Sequence, residues 1–169
     1  MLKLQGQALI ATHAMDEDDE ESRTVWVILD HTKDATTLFC LSRSIEQEIE
    51  LDIRRRLPDL PEGMHILRGG TMDGFEKHMI FVHRDPLKIE PFVDLGPKFR
   101  ISMKTENVHQ LNDDYTANCR IALGFDTWNP RELEEEIREG LWVLRDIGHV
   151  GGTFFKVHPE ELWSRLQAN

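Results

Sequence analysis

The sequence predicts an α+β fold. Strand-like apolar runs and helix-like stripes are interleaved without a regular βαβ rhythm, which disfavours a doubly wound parallel sheet. Two segments carry helix-start signals, and proline and glycine cut the remainder into short elements. With 169 residues and no repeat or linker, residues 1–169 read as a single domain, one that buries about 70% of its unfolded surface.

Taken in order, Gln7 to Thr12 and Val25 to Asp30 read as the first two strands, the second a Val-Trp-Val-Ile-Leu run suited to burial on both faces. Thr37 to Leu41 reads as a third. Ser44, with Gln47 completing a capping box, then opens a helix whose Ile45, Ile49, Ile53 and Leu57 form one stripe and which Pro58 stops. A strand at Met64 to Leu67 ends in a turn at Gly69 and Gly70, and Met79 to His83 is the next strand. The Asp85-Pro86, Glu90-Pro91 and Gly96-Pro97 pairs enforce an extended connection, because a residue before proline avoids helix. Phe99 to Met103 and Asn118 to Phe125 follow as strands.

The strongest local signal is Asn129-Pro130-Arg131-Glu132: an N-cap, a proline at the first helical position, and an acid three residues after the cap. Leu133, Ile137, Leu141 and Leu144 recur at helical spacing behind it. The acids Glu132, Glu134, Glu135 and Glu136 lie where the helix macrodipole favours negative charge. Gly148, Gly151 and Gly152 end that region, Thr153 to Val157 reads as a last strand, and Pro159 opens a terminal helix.

A formal net charge of -11, from 20 basic and 31 acidic residues, argues against direct nucleic-acid binding and against anionic membranes. The excess is concentrated. Asp16 to Glu21 is wholly acidic, and Arg131 to Glu139 holds five acids against two bases. The first of these runs reads as a solvated loop, since it lacks the glycine turn and alternate spacing of a calcium loop. Arg54, Arg55 and Arg56 complement a helix C-terminus. Cys40 and Cys119 sit in apolar runs without metal or redox spacing, as buried free thiols do, and the expectation is a cytoplasmic chain with no metal and no cofactor. Neither an H-E-x-x-H, a P-loop, a G-x-S-x-G nor a G-x-G-x-x-G is present.

Leu4 to Ala11 followed by Met15, Ser22 to Val25 with His31, the run Ala122 to Leu144, and Phe154-Phe155-Lys156 with Trp163 together resemble the AlgH/YqgE family. The middle departs from its pattern: Ala35, Leu38, Ser42, Arg43 and Ser44 stand where the family has glycines and an Asn-basic-Pro triplet, and Thr71 replaces a proline after Gly69-Gly70. The resemblance implies a mixed sheet forming a small, partly closed β-barrel surrounded by helices. Its members are often labelled transcriptional regulators, a label that names an effect on expression and no chemistry.

Arg23, His31, Asp126 and Trp128 lie beside strand ends or turns in the family-like segments and offer a cation, a base, a carboxylate and an aromatic wall for a polar ligand. Trp128 also reads as a core plug over the Asn129 helix. Arg68, Gly69 and Gly70 offer turn amides to an anion, or else a tight turn that needs positive φ. The function expected is a regulatory or binding domain that recognises a small polar ligand or a protein partner without catalysis. The alternatives are a regulator acting on DNA directly and a hydrolase that uses His31 with Asp126.

Overall fold

The computed structural model describes residues 1–71, 79–87, 89, 93–103 and 115–167. The α+β class holds. Ten strands run β1 (Gln7–Ala11), β2 (Val25–His31), β3 (Thr36–Cys40), β4 (Ile66–Arg68), β5 (Met79–His83), β6 (Val93–Asp94), β7 (Arg100–Ser102), β8 (Cys119–Leu123), β9 (Asp126–Trp128) and β10 (Trp142–Asp146). The helices are α1 (Gln47–Arg56), α2 (Pro130–Arg138), α3 (Ile147–Phe154) and α4 (Leu162–Gln167), the last entered through a 3-10 turn at Pro159–Glu161.

The strands form two five-stranded sheets, β10-β1-β2-β3-β9 and β4-β8-β5-β7-β6, and no closed barrel is found among them. The first is antiparallel throughout, while the second is mixed, with β4 parallel to β8. They meet at a corner. Beyond β3 the chain turns to pair with β4, through Arg68 N–H to Arg43 O and Ile45 N–H to Ile66 O, and the Cys40 amide donates to Gly69 O. Among the described residues that junction joins the sheets without closing their other edges.

Alternation along the strands builds the layers. Val25, Val27, Phe39 and Leu41 of one sheet face Leu67, Ile80, Val82 and Ala122 of the other, and α3 and α4 close this central core with Val150, Phe154 and Leu162. The opposite face of the first sheet, with Leu9, Trp26, Ile28 and Leu38, is covered by Leu133 and Ile137 of α2. The opposite face of the second, with Phe81, Cys119, Ile121 and Leu123, is covered by Ile45 and Ile53 beside and on α1. Both cysteines are free and buried, and burial pushes the Cys119 thiol up to about 12.

Three local expectations are corrected. Ser44 does not cap α1: it bridges to Leu67, and the helix starts after Glu46 with no side-chain cap. The Asn129 cap does form, its side chain accepting from the Arg131 and Glu132 amides, but α2 ends at Arg138 and Gly140 takes φ +81. Leu141 and Leu144 therefore leave the helix, and Leu144 lies in β10 opposite Leu9. Finally, Thr153 and Phe154 belong to α3, capped by the Asp146 side chain. Gly151 does not break that helix but lets it approach the Lys98 carbonyl, 2.8 Å from where a Cβ would stand.

Candidate functional site

Strand β2 carries a bulge between Ile28 and Asp30, and it decides where His31 points. Trp26 and Ile28 face α2, so unbroken alternation would send Asp30 that way and His31 to the other face. The extra residue reverses this. His31 pairs with Thr36, which pairs with Trp128 of β9, and the three lie in one cross-strand row. The His31 ring is 1% exposed, its Nδ1 2.7 Å from Thr36 Oγ1 and its Nε2 3.5 Å from Glu134 Oε1. Glu134 also accepts the Leu2 amide at 2.8 Å, and that bond, with His31 adding, holds its carboxyl below the usual range. This row is a buried clamp between sheet, α2 and the N-terminal segment.

Beside it opens a cleft of about 320 Å³. One wall is the loop that joins β1 to β2. It is exposed from Asp16 to Glu20, and Asx turns fold it, with the Asp18 amide donating to Asp16 Oδ1 and the Glu21 amide to Asp19 Oδ1. The other wall is α2, with Glu132 and Glu136 one turn apart. Trp128, Trp142, Met15, Leu133 and Leu141 complete the lining. The Trp128 ring lies 4.7 Å from Trp26 and 5.5 Å from Trp142, and Trp142 Nε1 donates to Glu136 Oε2 at 2.7 Å, so the aromatic wall is fixed from behind.

Asp19 and Glu21 share this cleft as a hydrogen-bonded pair. The bond to Asp19, then burial and Asp19's charge, raise the Glu21 carboxyl to about 7, while the same bond and a backbone bond lower Asp19. Of the two carboxyls, Glu21 keeps its proton to the higher pH. The cleft gains a charge when that proton leaves.

Of the candidate ligand-binding residues read from the sequence, Trp128 alone lines this cleft. Asp126 lies at the start of β9, where its Oδ1 accepts both the Thr71 amide at 2.7 Å and the Thr71 hydroxyl at 2.9 Å. A proline at 71 would lack that amide, so the departure from the family pattern carries its own bond. Arg68 pairs with Glu46 at 3.1 Å. The Gly69 and Gly70 amides both point at Leu123 O, 2.8 and 3.2 Å away, and neither glycine has positive φ. Their smallness serves close backbone approach.

Arg23 sits elsewhere, in a second cavity of about 380 Å³ with Arg43, Glu160 and Trp163. Its backbone is left-handed at φ 58, a strained conformation for a residue with a Cβ, and its 67% exposed side chain reaches Glu17 at 3.8 Å. Sequence reasoning missed Asp19, Glu21, Glu132 and Glu136 as site residues because a helix dipole and a solvated loop each account for clustered acids. What was legible was their alternative partner, Trp128. Among the described residues no three His, Cys, Asp or Glu side chains are grouped to hold a metal ion, and no helix is long and apolar enough to cross a membrane.

The profile of the family described as AlgH-like matches residues 8–169. A UPF0301 protein of Rhodopseudomonas palustris is 29% identical over 159 residues, covering 85% of this chain and 70% of that protein. One of Caulobacter vibrioides is 25% identical, with 96% and 85% covered. Among solved structures, a crystal structure of a Corynebacterium diphtheriae protein matches with a TM-score of 0.63 at 16% identity, covering 98% of this chain and 86% of the other. The solution structure of the AlgH protein from Pseudomonas aeruginosa matches with a TM-score of 0.60 at 18% identity and the same coverage.

Proposed function

We propose that this chain, which belongs to the AlgH-like family, is a binding domain whose ligand is a small polar molecule bearing a positive charge, held in the cleft between the acidic loop and α2. The observation that carries the reading is the convergence of Asp19, Glu21, Glu132 and Glu136 on one concavity whose other wall is Trp128 and Trp142. Carboxylates attract an ammonium or guanidinium group, and indole faces add cation–π attraction of about 0.5–2 kcal/mol. The carboxylates stand on two walls, so they suit an organic cation that fills the space between them. No nucleophile with an adjacent base lines this cleft among the described residues, which supports recognition over reaction.

A library of amines and guanidinium compounds screened by thermal shift tests the reading. A compound at 100 times its Kd adds about 2.7 kcal/mol of stability, and Trp128 and Trp142 should report it by fluorescence. The pair Glu132→Gln and Glu136→Gln should abolish the shift while keeping the fold, since glutamine can still accept from Trp142 Nε1. If no cation in the library stabilises the protein, the reading is wrong.

Binding should also depend on pH. Glu21 is neutral below about 7 and ionised above it, so affinity for a cation rises with pH through that value. One additional charge at close range is worth about 1 kcal/mol, or roughly fivefold between pH 6 and pH 8. Glu21→Gln should flatten the profile.

A further inference from the structure

Arg120 lies in β8, 3% exposed, and its Nη1 has no hydrogen-bond partner among the described residues. Nη2 donates to Val157 O, and the guanidinium stacks over Phe154 at 4.8 Å from the ring centroid. No carboxylate among the described residues pairs with it. A buried cation without a counter-charge is costly, and native structures supply the missing charge or hydrogen bond from somewhere.

The charge that acts on it, that of Arg84, has the same sign. Burial, then the charges of Arg120 and His158, lower the His65 pKa against the opposing charge of Glu50, and its ring meets that of His158 edge to face at 5.3 Å. Arg84 acts on Arg120 and is anchored by Asn118 Oδ1 at 2.9 Å and stacked over Phe155. The His158 Nδ1 accepts the Glu160 amide, which leaves Nε2 as the nitrogen free to face a ligand. In a chain of net charge -11, β8, the end of β5, the turn before β4 and the entry to the 3-10 turn thus supply two arginines and two histidines.

From this juxtaposition we infer that Arg120, Arg84, His65 and His158 form a binding site for a phosphate group, with the unpaired Arg120 Nη1 as its central donor. A tetrahedral oxyanion supplies the charge that Arg120 lacks and enough acceptors for several N–H donors at once. The exposed His158 edge is its approach. This site is independent of the cation cleft: neither uses a residue of the other.

Inorganic phosphate titrated at constant ionic strength, with sodium chloride as the balance, tests it. The expected result is a saturable rise in Tm and saturable shifts of the His65, Arg120 and His158 amide resonances in the NMR spectrum. Acetate in place of phosphate should give neither. Arg120→Met should fold, because exchanging an uncompensated buried charge for an apolar side chain of similar length is commonly tolerated. It should weaken phosphate binding by about tenfold or more, as the loss of a charge-assisted hydrogen bond entails. The exposed-site variant His158→Gln should weaken it as well, with little change in stability without phosphate. Wild-type protein that responds to phosphate no more than to chloride overturns the inference, as does a phosphate response that both variants retain in full.

Discussion

Replacing Gly70 with alanine is expected to destabilise the fold by about 3 kcal/mol or more, read as a lower urea midpoint with an unchanged slope. A Cβ at this position would lie 2.2 Å from the Phe125 carbonyl carbon and 2.3 Å from its oxygen. Those are backbone atoms, so no rotamer change relieves the clash, and Phe125 sits in the turn that takes β8 into β9. Movement there would also disturb the Gly69 and Gly70 amides on Leu123 O and the two bonds from Thr71 to Asp126. Gly152 supplies the control. It lies within α3, has negative φ and meets nothing within 4 Å of a built Cβ, so Gly152→Ala should stabilise by about 0.5–1 kcal/mol. Equal midpoints for wild type and Gly70→Ala would falsify the backbone-seam account of the glycine pair.

The glycines also show where sequence patterns lose their meaning. Gly69-Gly70 and Gly151 look alike as punctuation, yet here they mark places where two backbones touch, and that depends on partners distant along the chain. Strand β2 and the start of α2 were legible because their causes are local: a β-branched and aromatic run, and a cap with proline behind it. The end of α2 was not. Leu141 and Leu144 keep helical phase with Leu133, and pairing of β10 with β1 overrides that phase. His31 does stand at the end of β2, but its direction depends on a bulge that alternation cannot reveal. Asp126, expected near it, binds Thr71 instead. The cleft's acids were visible as charge and invisible as a site, because the loop's Asx turns and the position of Trp142 decide which carboxylates converge.

Stability below neutral pH should depend strongly on His83. It lies in β5 with 0% exposure, opposite Cys119 of β8 and Arg100 of β7, and neither ring nitrogen has a hydrogen-bond partner among the described residues. Burial, then the charge of Arg100, lower its pKa from 6.5 to about 4, against smaller opposing effects of Asp94 and Asp85. The sign follows from proton binding. Between about 4 and 6.5 the unfolded chain protonates this histidine while the folded chain does not, so stability is full above 6.5 and falls as the pH drops towards 4. A displacement of that size corresponds to about 3 kcal/mol. Arg100 is held by ion pairs to Asp85 and Asp94, the latter at 3.2 Å, so acid also acts on carboxylates near the same strand. The difference between two proteins removes that contribution. His83→Leu cannot take up a proton, and its unfolding free energy should gain on wild type by about 3 kcal/mol between pH 7 and pH 4, whatever its stability at pH 7. Parallel curves over that range would mean that His83 finds a proton acceptor in the folded state, and that its two nitrogens are not buried without partners.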